Sequence, residues 1–147
     1  MTTTTATATA ATTTARPRSF FRHLGPILAG LVVGIALSLG TDTVLRSAGV
    51  FPPFPQPMND LQFLLATVYR AVYSVVGSYL AARLSSERGM RNALILGVLG
   101  VVASAAGLAA TWNKGPEFGP HWYPVALIVL SLPCAWLGGK LTSRRAA

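Results

Sequence analysis

Four apolar segments, with arginine and lysine concentrated at alternate ends, constrain this chain more than any other feature. The segments run from about Leu24 to Leu45, Leu61 to Leu84, Ala93 to Trp112 and Trp122 to Leu141. Each is close to the roughly 20 residues that an α-helix needs to cross a hydrocarbon core of about 30 Å. A backbone in lipid must satisfy its own hydrogen bonds, and the continuous apolar runs lack the alternation of barrel strands, so helices are expected. The expected fold is all-α, a polytopic membrane protein with a four-transmembrane-helix bundle over residues 20–147. Charged residues make up 11% of the chain, and mean hydropathy is +0.51, values that exclude an ordinary soluble globule.

The basic residues orient the bundle. Arg16, Arg18 and Arg22 precede the first segment; Arg83, Arg88 and Arg91 surround the join of the second and third; Lys140, Arg144 and Arg145 close the fourth. The other two loops carry only Arg46 and Lys114 at their edges. By the positive-inside rule both termini are cytoplasmic, which for a bacterial chain means the inner (cytoplasmic) membrane. The net charge of +8 is dispersed among loops and not gathered on a folded face or arm, so nucleic acid is not an expected partner.

Residues 1–19, mostly threonine and alanine, have too few large apolar side chains to offset the entropy of ordering and are expected to form a disordered cytoplasmic tail. The loops VFPPFPQPMND and NKGPEFGPHWYP are rich in proline and aromatics; Phe51, Phe54, Trp112, Phe118, Trp122 and Tyr123 suit a membrane interface. Pro133 is expected to kink the fourth helix, with Ser131 available to satisfy freed backbone groups. The endings AARLSSER and GGKLTSRR of the second and fourth segments share a pattern that two parallel helical hairpins would produce.

Small residues recur at helical spacing. Gly30, Gly34, Ser38 and Asp42 fall on one face of the first segment, and Gly97, Gly100 and Gly107 mark the third. Such spacing lets helix backbones approach closely where lipid supplies no hydrophobic drive. Gly34 is expected to be a close-packing position, either within the monomer or against another subunit.

Arg70 is the most costly residue, because a charge inside the core costs up to about 2.5 kcal/mol on insertion scales unless it pairs or snorkels. Asp42, the only carboxylate of the first segment, lies at a similar depth. An Asp42 and Arg70 intramembrane pair is expected, with Tyr69, Tyr73 and Ser74 as supporting polar groups. The competing arrangement pairs Asp42 with Arg46 one turn away and leaves Arg70 to snorkel.

Cys134 is the only cysteine, and His23 and His121 lie at opposite ends of the bundle, so no cofactor or metal site is expected from this chain alone. No nucleophile and base, metal set or phosphate loop can be assembled, which argues against an enzyme. The strings SLGTD, GVFPPFPQPM, ATVYR, GSYLAARL and TWNKGPEFGPHWYP resemble those of small four-span bacterial membrane proteins. That resemblance implies a topology and no activity. The chain departs from small multidrug transporters, which carry a glutamate in mid-helix, and from quinone-linked thiol oxidoreductases, which need cysteine pairs. Two functions remain: an accessory helix-packing subunit that self-associates or joins a larger membrane complex, or a small-solute or proton-coupled permeation protein that uses Asp42 and Arg70.

The orientation has a direct test. Cysteines placed in the tail, near Glu87 and at the C-terminus are expected to be protected from an impermeant thiol reagent in intact cells, while one near Gln56 reacts. Labelling of the tail in sealed cells would reverse the assignment.

Overall fold

A computed structural model of the chain describes residues 17–85, 88–115 and 118–145, with the backbone alone described for residues 17–23 and 144–145. Among the described residues there are four helices and no strand: α1 Pro17–Ser47, α2 Asp60–Arg83, α3 Gly89–Thr111 and α4 Trp122–Arg145. Each has a stretch long and apolar enough to cross a membrane. Four such helices suggest a multi-pass membrane protein.

Helix α1 begins inside the segment expected to be tail. Pro17 takes its first position, where the missing N–H is not needed and the fixed φ already suits a helix. The expected tail is thereby shortened at its end, and its residues 1–16 lie outside the described set. Helix α3 starts four residues earlier than the apolar run, at Gly89. Asn92 is buried there and donates to Ser85 Oγ at 2.6 Å, tying the start of α3 to the end of α2.

Helix α2 is central and packs against the other three. Helices α3 and α4 form the most extensive pair, whereas α1 rests chiefly on α2 and touches α3 lightly. The contacts are made by small residues: Ala81, Ala82, Ala93 and Ala135 are all essentially inaccessible. At the α1–α2 crossing, a Cβ on Gly30 would strike the Gly77 carbonyl oxygen, and one on Gly77 would come within 2.7 Å of the Gly30 carbonyl. A Cβ on Gly97 would sit 3.3 Å from the Ser131 carbonyl and in collision with Ala135. Gly138 meets Val75 and Ser78 of α2 at 2.7 Å in the same sense. The small pairs of the two similar helix endings, Ala81–Ala82 and Gly138–Gly139, are thus both buried at crossings.

Not every small position is used. Gly34 has only ordinary room beside it, with the Tyr73 carbonyl 3.8 Å from a built Cβ, so the close approach on α1 lies one turn away at Gly30. Gly100 faces Ser131 Oγ at 3.1 Å, while Gly107 has nothing within 4 Å and does not pack in the bundle. Spacing alone identified the face, but the helices diverge along it.

The end of α1 and the following loop are fastened tightly. Gly49 adopts φ +73°, and the amides of Val50 and Phe51 donate to the Leu45 carbonyl at 2.9 and 3.1 Å, closing the helix. Arg46 Nη1 donates to the Pro52 carbonyl at 3.0 Å, so this arginine is engaged away from Asp42. Asn59 and Gln62 form a reciprocal capping box at the start of α2, and Gln62 Nε2 also donates to the Val50 carbonyl. Phe51 is buried, 2% exposed, and not on the surface belt expected for it; Phe54, Trp112 and Trp122 are exposed as such a belt requires. Phe54 meets Phe118 edge-on at 6.2 Å, which brings the two proline-rich loops together at one end of the bundle.

Helix α4 continues through Pro133. The carbonyl that proline frees belongs to Val129, whereas Ser131 Oγ donates to the Leu127 carbonyl at 2.6 Å. Ser131 therefore does not serve the group freed by the proline.

These contacts separate two glycines that spacing alone treats alike. Gly30→Ala is expected to force α1 from α2 and destabilise the bundle by about 1–3 kcal/mol, while Gly107→Ala changes stability by less than about 0.5 kcal/mol. Thermal denaturation of both variants in mild detergent checks this; equal midpoints would show that the Gly30–Gly77 crossing is not closely packed.

Candidate functional site: an interhelical ion pair and its cavity

Arg70 lies ten residues into α2, about 15 Å from its start at 1.5 Å per residue, well inside an apolar bundle. Asp42 lies five residues before the end of α1, which runs antiparallel to α2, so the two side chains converge from neighbouring helices. Arg70 Nη2 donates to Asp42 Oδ2 at 2.7 Å. The other carboxylate oxygen accepts from the Tyr69 hydroxyl. Thr41 Oγ1 and the Tyr73 hydroxyl share a further bond of 2.8 Å. Three polar links therefore join one turn of α1 to two turns of α2.

Of the residues singled out in the sequence, the structure brings Asp42, Arg70, Tyr69 and Tyr73 together. Ser74 makes no bond to Arg70. Two members of the constellation were not foreseen. Thr41 follows from Asp42 once α1 faces α2, but an isolated threonine carries no signal of a partner. Tyr123 of α4 lies with its ring centroid 5.8 Å from the Arg70 guanidinium carbon; reading it as an interfacial aromatic hid its contact with a cation. Tyr123 also packs on Phe63 at 5.1 Å, which fixes α4 beside α2 at this level.

The pair carries no net charge, and pairing with hydrogen bonds is what makes buried ions tolerable. It is not sealed off: the Arg70 side chain is 33% accessible and that of Asp42 21%. Arg70 Nε is buried without a hydrogen-bond partner. Nη1 has no protein partner among the described residues either.

Beside the pair lies a cavity of about 340 Å³, within the range of roughly 300–1,000 Å³ usual for small-molecule sites. Its walls come from all four helices and include Gly34 and Ser38 of α1, Arg70 and Ser74 of α2, Ser104 of α3 and Leu127 of α4. The small faces of α1 and α3 thus border a space in addition to making contact. Helices α1 and α3 meet through Ile27, Gly30 and Leu96 near the arginine-rich end of the bundle and part beyond that point.

Elsewhere, His121 Nε2 lies 3.1 Å from the Trp112 carbonyl and its ring packs on the Trp112 indole at 4.6 Å, a loop contact. Among the described residues no three His, Cys, Asp or Glu side chains cluster as metal ligands. Comparison of the chain with protein-family models, curated proteins and solved structures finds no match.

The ion pair predicts energetic coupling. Asp42→Asn alone is expected to destabilise the bundle more than Asp42→Asn combined with Arg70→Met, since the double variant leaves no charge uncompensated. A double-mutant cycle by thermal denaturation should give coupling of about 0.5 kcal/mol or more. Strict additivity would mean that the contact contributes nothing.

Proposed function

We propose that this chain is an accessory helix-packing subunit of a bacterial cytoplasmic membrane, with both termini inside, associating with itself or with a larger membrane complex. The observation that carries this reading is small-residue surface left unused in the monomer. On α3, Ala106, Gly107 and Ala110 are exposed, and a Cβ built on Gly107 would meet nothing within 4 Å; the same holds for Gly40 on α1. Their spacing, with Ala106 and Ala110 four apart and Gly107 between them, suits close approach of a further helix.

A second reading is favoured by the cavity: a permeation protein for a small solute or protons, with Asp42 and Arg70 as its polar site. Sites near the bilayer midplane between helices are usual in secondary transporters. That reading requires loss of uptake in an Asp42 or Arg70 variant that remains folded.

Purification of the native protein in mild detergent, with mass determination and identification of whatever co-purifies, tests the subunit role. A homo-oligomer or stoichiometric complex is expected, and Gly107→Leu should release a monomer that remains folded, with its helix content by circular dichroism unchanged. A wild-type protein that is monomeric and alone would overturn it.

A further inference from the structure

The cavity beside Arg70 combines features that define a ligand class. Its polar groups sit at one level: Ser38 lies nine residues from the end of α1, Ser104 seven from the end of α3, and Arg70 ten from the start of α2. At 1.5 Å per residue all three fall about 10–15 Å in from the same end of the bundle. The hydroxyls of Ser38, Ser74 and Ser104 have no hydrogen-bond partner among the described residues. Arg70 adds the unpartnered donors of Nη1.

The surrounding wall is apolar, with Leu31, Ile35, Leu39, Leu96, Leu127 and Leu130 among its residues. Ile35 and Leu39 are also 50% and 60% exposed on the outside of the bundle, so the wall of the cavity continues into the lipid-facing surface of α1. Access is therefore sideways, through the parting of α1 and α3. A molecule that enters this way must first dissolve in the bilayer.

Charge narrows the class further. Asp42 already neutralises Arg70, so an anion in the cavity would leave the site with a net negative charge in low dielectric, and a cation would meet the guanidinium. The donors at hand call for an uncharged acceptor. We propose that the cavity binds an uncharged, lipid-soluble carbonyl compound, its carbonyl accepting from Arg70 Nη1 and the serine hydroxyls and its apolar part lying against the leucines. A membrane quinone and an acylglycerol share that chemistry. The site rests on the membrane placement given above and is independent of the subunit role.

The experiment uses the full chain in mild detergent and reads the ligand-induced rise in thermal midpoint, which a molecule binding the folded state alone must produce. The probes are a short-chain ubiquinone, dioctanoylglycerol and decanoate. A saturable rise with ubiquinone assigns the quinone source, a rise with dioctanoylglycerol assigns the glyceride source, and decanoate is expected to give none. Ser104→Leu, which places a branched side chain in the cavity, should fold and weaken binding about tenfold or more. Ser38→Leu does the same from the opposite wall should the first variant not fold, and Val129→Leu on the lipid-facing surface of α4 should bind as wild type. No rise with either neutral probe, a rise with decanoate alone, or unchanged affinity in the cavity-filling variants would overturn the proposal. Impermeant-thiol labelling reports the membrane placement separately, so failure of the site and failure of the topology give different results.

Discussion

A guanidinium in the middle of an apolar bundle has to be answered by something, and here the answer is a carboxylate on the adjacent helix. The Asp42–Arg70 pair fixes the rotation and the height of α1 on α2, because both side chains must reach one another at hydrogen-bond distance. Tyr69 on the second carboxylate oxygen holds the same turn, and the Thr41–Tyr73 bond repeats the registration one turn further along α2. The close crossing at Gly30 and Gly77 lies several turns away on the same two helices. Two anchors of different chemistry, one polar and one steric, thus hold α1, which has little other support.

The contrast between α1 and the remaining helices follows from that arrangement. Helices α2, α3 and α4 interlock through alanine and glycine and need no ion pair; α1 leans on α2 alone for most of its length and diverges from α3. Divergence leaves small residues facing a space in place of a partner, which is why glycine spacing produces contact at Gly97 and a cavity wall at Gly34. The polar groups in that wall are then available to something other than protein.

Four apolar runs of membrane-spanning length were legible because hydropathy integrates over many residues and tolerates errors at any one of them. The Asp42 and Arg70 contact was legible because each side chain is too costly to ignore and their depths agree. What escaped the sequence was rotational. Gly107 and Gly30 have identical spacing credentials, yet only one faces a neighbour, since facing depends on how straight helices diverge. Phe51 and Tyr123 read as interfacial aromatics, but one is folded beneath its loop and the other turned toward Arg70, outcomes decided by tertiary contacts. Ser131 stands two residues from Pro133, although the carbonyl it serves is that of Leu127 and not that of Val129, which the proline frees.

The fastening of the loop between α1 and α2 bears on how such a chain is made. The Gly49 closure, the Arg46 bond to Pro52, the Asn59–Gln62 box and the Gln62 bond to Val50 all lie within one hairpin, as do Asp42, Tyr69 and Arg70. Everything required to neutralise the buried arginine is encoded by Arg83, before any of α3 or α4 has been synthesised. The first two helices can therefore pair and neutralise this charge while the second half of the chain is still on the ribosome.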